Sequence, residues 1–255
     1  MDEAVKQGHY ARKQMFCKSG LIAWSHRRRF ETGLALVRAG AAQRILDYGC
    51  GDGTFLALLL DAPDPPPSAV GAELDLRLVA DCQQRLGQRP GLKFVPLGQL
   101  DGAEHAGKYD AIICMEVLEH VVQLDQVFAQ FHRLLAPAGL LFISVPVETG
   151  LPLLIKQAGR TFAGWRGLGD YPGTSPYTFG ELFRGLLAGS EPHLPRPRHG
   201  EPDGFEFHDH KGFNWRAMRA RVAAHFELLK TFTSPISWLP PGLASQVWFL
   251  ARQRP

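Results

Sequence analysis

The chain has 255 residues, 45% of them hydrophobic and 21% charged, with a formal net charge of +3. This describes one large domain, or a core with a substantial insertion, and enough apolar residues to bury a core. So small a charge is weak support for a nucleic-acid partner, and no stretch approaches the apolar length of a membrane-crossing helix.

Residues 1–30 are basic and aromatic, with Tyr10, Arg12, Lys13, Phe16, Trp24 and His26 followed by Arg27, Arg28 and Arg29. They read as a solvated N-terminal helix, and a further helix over Phe30 to Ala39 leads to the first strand. That strand (Ile45, Leu46) ends in Asp47 and runs into Gly49, Gly51 and Gly53, with a helix from Thr54 to Leu60 directly behind. Glycines at this point let a ligand lie against the main chain, and the helix N-terminus offers unpaired N–H groups. A dinucleotide site would want G-x-G-x-x-G for a pyrophosphate; this loop is one residue tighter. An acid beside it suits a ligand with a cationic amino-acid end. The second strand, Ala69 onward, ends in Glu73, placed to hold two ribose hydroxyls. Cys17, Cys50, Cys82 and Cys114 form no C-x-x-C pair and follow no secretory signal, so they read as reduced cytosolic thiols.

A helix over about Leu76 to Leu86 leads to a third strand, Leu92 to Val95. Tyr109 to Cys114 is a strongly apolar fourth strand running into Met115-Glu-Val-Leu-Glu-His-Val121. Leu124, Val127, Phe128, Phe131, Leu134 and Leu135 then recur at helical spacing, Pro137-Ala-Gly139 stops that helix, and Leu140 to Val145 is the fifth strand. This alternation predicts an α/β fold with a parallel sheet covered on both faces. It breaks over residues 150–207. There Leu151, Leu154, Ile155, Ala158, Phe162 and Trp165 make an apolar stripe with Lys156, Arg160 and Arg166 as its basic complement. Such a helix caps an active site or lies on a membrane surface. A second helix starts at Thr178 with a capping box to Glu181, and Glu191 to Gly204 reads as a mobile loop. A helix capped by Asn214 and strands Phe226–Thr233 and Gln246–Ala251 close the chain.

The Asp47–Gly53 loop and Glu73 resemble the S-adenosylmethionine site of class I methyltransferases, and the likeness covers residues 30–149 and 213–255. It implies a Rossmann-like, seven-stranded, mostly parallel sheet with helices on both faces and an insertion after the fifth strand. A single methyltransferase domain over residues 1–255 is expected, with 1–30 as a cap and 150–207 as a lid or membrane contact. The spacing from Arg29 to Asp47 resembles the entry helix of the ubiquinone-biosynthesis O-methyltransferases, which implies that Arg29 reaches the methionine carboxylate. Leu74 and Met115 join Asp47, Gly49, Gly51, Gly53 and Glu73 as expected cofactor contacts. Many relatives carry an acid after the third strand for the adenine amine; this chain offers Gln99.

Glu116, Glu119 and His120 fall at the carboxyl end of the fourth strand, where open α/β sheets place their crevice. If that turn is helical, all three converge, and two carboxylates with an imidazole suit a divalent ion. The Glu-Val-Leu-Glu-His string is also widespread among methyltransferases that use no metal. His208-Asp-His210 before Phe213-Asn-Trp215 resembles the small-RNA 3′-terminal 2′-O-methyltransferases. That likeness implies a magnesium or manganese site of Glu116, Glu119, His120 and His210, with His208 as the alternate for the last. The expected function is metal-assisted O-methylation of a vicinal diol on a sugar-like, catechol or lipid-linked acceptor. Without a metal, His120 or His210 is the general-base candidate. The competing readings are an RNA 3′-end methyltransferase and a non-catalytic S-adenosylmethionine-binding subunit.

Overall fold

The computed structural model describes residues 3–17, 19–165, 175–200 and 205–254. Helix α1 (Glu3–Lys6), a π-helical turn (Ala11–Met15) and α2 (Gly20–Ala39) precede the first strand, β1 (Arg44–Tyr48). The chain then alternates through α3 (Thr54–Leu60), β2 (Ser68–Glu73), α4 (Leu76–Leu86), β3 (Leu92–Pro96), β4 (Tyr109–Met115), α5 (Leu124–Leu134) and β5 (Leu135–Pro146). The expected insertion holds α6 (Gly150–Trp165), α7 (Phe179–Leu186) and a two-stranded ribbon of β6 (Arg198–Gly200) and β7 (Glu206–His208). Helix α8 (Trp215–His225) and strands β8 (Glu227–Ser234) and β9 (Gln246–Arg252) complete the fold.

The seven strands of the main sheet run in the order β3-β2-β1-β4-β5-β9-β8, with β9 antiparallel to both neighbours and the other pairs parallel. This is the expected architecture. Side chains alternate across the sheet, so Leu141, Ile143 and Val145 of β5 join one core layer while Phe142 joins the other. The first layer packs Phe128 and Phe131 of α5 with Trp215, Met218 and Val222 of α8; the second packs Phe30, Phe55, Leu56 and Val79 of α2, α3 and α4.

Local chemistry sets the helix starts. The side chain of Asp75 accepts from Arg77 N at 2.8 Å and that of Asn214 from Arg216 N at 2.9 Å. The capping box between Thr178 and Glu181 is formed in both directions.

Three sequence expectations are corrected. Helix α5 ends at Leu134, and β5 begins at Leu135, which pairs with Tyr109. The register then shifts before Leu140 meets Ala111. Pro137 to Gly139 thus occupy an irregularity within the strand, a place that tolerates proline. Of the expected mobile loop over 191–204, residues 201–204 lie outside the described residues, and the rest carries β6 and buries Leu194. The N-terminal stretch is not a solvated helix: Val5, Met15 and Phe30 are buried in the second core layer.

Candidate active site

The crevice opens where the strand order reverses, at the carboxyl ends of β1 and β4. A cavity of about 550 Å³ lies there, lined by Arg29, Asp47, Gly51 and Met115 together with Glu119, His120 and His210. A second cavity of about 920 Å³ shares Gly49, Glu116 and His120 with the first and runs past Glu73, Leu74 and Leu97.

Strand β1 carries Asp47 into the interior, 2% exposed, in register between Gly71 and Ile113. Its Oδ2 is enclosed and has no hydrogen-bond partner among the described residues. Burial first, then the charges of Glu73 and Asp52, push its carboxyl up to about 8. A buried acid in this state is ready for a cation. Gly49 and Gly51 both have positive φ, but their surroundings differ. A Cβ on Gly49 would stand 2.5 Å from Val117 Cγ2, whereas one on Gly51 would meet nothing within 4 Å. Gly49 is therefore small for packing, and Gly51 leaves the main chain open to the cavity. Glu73 lines the second cavity, its Oε2 accepting from Gly51 N at 2.8 Å and its Oε1 from Leu74 N at 2.7 Å.

Two expected cofactor residues stand outside both cavity walls. Gly53 instead begins α3 beneath Phe94, where a Cβ would lie 2.8 Å from the ring. Gln99 lies in a 3₁₀ turn, Leu97–Asp101, that buries Leu100 and leaves Gln99 in solvent; Leu97 and Asp101 line the second cavity in its place. Arg29 is 4% exposed, with its guanidinium over the rings of Tyr10 and Phe30 and Nη1 3.5 Å from Glu116 Oε2.

In the same cavity, Glu119, His120 and His210 bring one potential ligand atom each within 4.8 Å of one another. Glu119 is fully buried, and neither carboxylate oxygen has a hydrogen-bond partner among the described residues. Burial, then the charge of Glu116, raises its carboxyl well above the usual carboxylate range. His120 Nδ1 donates to the carbonyl of His208 at 2.7 Å, which leaves Nε2 for the centre of the cluster. Burial lowers His210 to about 4, so near neutral pH it is the uncharged imidazole that can ligate.

Glu116, the fourth expected ligand, lies outside that group. Residues 116–120 form a turn rather than a helix, and Glu116 has φ +55°, so the helical spacing that would align it with Glu119 and His120 is lost. Its carboxylate accepts from Ser144 Oγ at 3.2 Å and faces Arg29. His208, the alternate, is also excluded from the cluster: its ring donates to the carbonyl of Pro197 at 2.8 Å, and only its backbone reaches His120.

Sequence reasoning missed what secures this side of the cavity. The β6–β7 ribbon bridges Val121 through Phe207, and His208 N donates to His120 O at 3.0 Å. Arg196 donates to the carbonyls of Glu119 and Asp209, and His199 Nε2 lies 3.3 Å from Asp209 Oδ2. Strands of three residues carry no periodic signal, and nothing local ties Arg196 to a carbonyl 77 positions away.

A family model described as a methyltransferase domain matches residues 23–186. The ubiquinone biosynthesis O-methyltransferase of Psychrobacter arcticus is 30% identical over 130 residues, which cover 50% of this chain and 48% of that protein. The chain thus spans about half the length of the curated relatives it matches. Among solved structures, the CurJ carbon methyltransferase aligns with a TM-score of 0.59 at 15% identity, covering 100% of this chain and 62% of that one. The methyltransferase domain of bacterial CtHen1 aligns with a TM-score of 0.55, also at 15% identity, covering 89% of this chain and 98% of that one. At such identities the structural likeness speaks for the fold alone, whereas the family model covers well over half of the sequence. On that match, with the strand order and the glycine loop, the chain belongs to the class I S-adenosylmethionine-dependent methyltransferases.

Proposed function

We propose that this chain methylates a hydroxyl of a vicinal-diol acceptor, using S-adenosylmethionine and a divalent metal ion held by Glu119, His120 and His210. One observation carries the reading: the acid and open glycine backbone suited to the donor share a cavity with a three-ligand cluster. The donor fits the residues present. Asp47 offers an unpartnered buried oxygen to its ammonium group, Gly51 leaves room beside the main chain, and Glu73 lines the adjoining second cavity, where two ribose hydroxyls would lie. S-adenosylmethionine, when bound, supplies a methyl group already activated on a sulfonium.

The metal fits as well. Glu119 is a carboxylate ligand with both oxygens unpartnered among the described residues, and two imidazoles tilt preference toward manganese or another transition ion over magnesium. Such an ion lowers the pKa of a hydroxyl it chelates, which matters for a diol that is a poor nucleophile near pH 7. The chain's own residues orient the reactants: His120 is held by the His208 carbonyl, and Met115 stands in the wall of the same cavity. The name of the relative from Psychrobacter arcticus favours a small or lipid-linked acceptor over RNA.

Transfer from labelled donor to RNA, a glycan pool and a lipid extract tests the acceptor class. Label is expected in the lipid or small-molecule fraction. Label in RNA alone would establish the 3′-end reading. Label in none, with donor bound, would make the chain a binding subunit.

Membrane contact belongs to this proposal too, in altered form. No helix among the described residues is long and apolar enough to cross a membrane. Of the expected contacts on α6, Ile155 is exposed, as is Leu151, while Leu154 is half-buried; Phe179 and Phe183 of α7 are exposed as well. The expected basic complement does not flank them freely: Lys156 and Arg160 both lie 3.0 Å from the buried carboxylate of Glu148. Of the other expected contacts, the side chains of Phe162 and Trp165 lie outside the described residues, as does Arg166. Co-sedimentation with liposomes should therefore depend on apolar area and change little with salt or anionic lipid. Wild type remaining in the supernatant would leave only the lid role for the insertion.

A further inference from the structure

The N-terminal segment is fastened directly to the glycine loop. Asp52 Oδ2 accepts from Ala11 N at 3.0 Å while its Oδ1 accepts from Thr54 N at 3.1 Å. Arg85 donates both to the carbonyl of Ala4 and to that of Asp52, and Arg27 donates to the carbonyl of Met15 at 2.9 Å. These bonds hold the π-helical turn Ala11–Met15 against the cavity, so that Tyr10 and Gln14 form part of its wall beside Arg29 and Asp47. Turns of this kind are rare and occur mostly at functional sites.

Tyr10 is satisfied, its hydroxyl 2.8 Å from His26 Nδ1. Gln14 is not: its Oε1 is enclosed and has no hydrogen-bond partner among the described residues. Asp47 Oδ2 is in the same condition in the same cavity. Leaving such an acceptor unpaired costs about 1–3 kcal/mol, so two of them on residues that line one cavity imply a ligand rich in donors. An ammonium group carries three N–H donors and no acceptor.

We propose that Gln14 binds the α-ammonium group of the methyl donor together with Asp47, completing an amino-acid pocket in which Arg29 faces the carboxylate. The assignment rests on the reading of this cavity as the donor site. It gives the N-terminal segment a direct part in recognition: the strand-end acid supplies the charge, and the π turn supplies a second acceptor for the remaining N–H groups. It also accounts for Asp52, whose side chain bridges the glycine loop to the segment bearing Gln14.

The test is calorimetric and needs no acceptor. S-adenosylhomocysteine and 5′-methylthioadenosine, which lacks the amino-acid end, are each titrated into wild type, Gln14→Leu and Gln14→Glu. Gln14→Leu should weaken S-adenosylhomocysteine about 10-fold, the worth of one hydrogen bond to a charged group, and leave methylthioadenosine unchanged. Gln14→Glu keeps an acceptor oxygen and should retain the affinity. Because Gln14→Leu removes an unpartnered oxygen, its ligand-free Tm should not fall. Unchanged affinity for S-adenosylhomocysteine in Gln14→Leu overturns the proposal. So does equal weakening of both ligands, which would mark Gln14 as a structural support. Binding of neither ligand by wild type would overturn the donor reading itself, and this assignment with it.

Discussion

The double variant Asp47→Ala/Gly51→Arg should fold and fail to bind S-adenosylmethionine at any concentration calorimetry can reach, where wild type binds in the micromolar range. It should fold because neither change disturbs packing severely. A side chain at Gly51 starts in open space, and its φ of +56° lies in the left-handed region that L-residues enter at about 1–2 kcal/mol. Asp47→Ala removes a buried carboxyl with an unpartnered oxygen, a group that opposes folding when ionised. Binding should vanish for two separate reasons: the acid that receives the ammonium is gone, and a guanidinium fills the space where a ligand meets the backbone. The same arginine at Gly49 would be a poorer test, because its Cβ would strike Val117 and any loss would be a folding defect. Unaltered binding by the double variant, with wild type binding normally, would place the donor elsewhere.

The second large effect is expected at Glu119. Glu119→Gln should lower turnover about 100-fold or more by removing an anionic metal ligand, while donor affinity stays within about threefold of wild type. Asp47, Gly51 and Glu73 are not among the three clustered ligands and keep their side chains. The change in stability has the opposite sign. A carboxyl whose folded pKa is raised favours its protonated form in the folded state, so it costs stability as pH rises above the unfolded carboxylate pKa. Replacing it by an amide removes that cost, and the metal-free variant should melt at or above the wild-type temperature. A protein made more stable and less active by one change is the mark of a site built for function. A large fall in Tm with turnover lost in proportion would instead show that Glu119 is a packed polar group.

The fold was legible because its signals are local. Strand and helix alternate with the correct periods, and Asp47 followed by three glycines marks the first crossover. Asn214 and the Thr178–Glu181 pair announce their helices, and the structure forms those caps. Asp47, Gly51 and Glu73 were placed near one another for the same reason, since they lie within one strand-helix-strand unit. What failed depended on conformation or on distant partners. Glu116 was grouped with Glu119 and His120 by helical spacing, and a single left-handed residue removes that spacing. Gln99 follows the third strand at the place expected for an adenine contact, but the turn buries Leu100 and leaves Gln99 in solvent. Lys156 and Arg160 read as the basic complement of an apolar stripe, because nothing local links them to their partner Glu148, two residues beyond β5. Gln14 carried no signal at all, since its place in the wall comes from Asp52 reaching back across 41 positions to Ala11.

The claim on which the proposed mechanism turns is that Glu119, His120 and His210 form a metal site distinct from the donor site, and that claim can be tested without knowing the acceptor. Manganese is titrated into wild type and into His120→Ala/His210→Ala, with S-adenosylhomocysteine affinity measured in parallel before and after excess chelator. Saturable binding of one ion per chain is expected, weakened at least about 10-fold in the double variant, with donor affinity the same in all samples. No saturable binding by wild type, or equal binding by the variant, would contradict that claim.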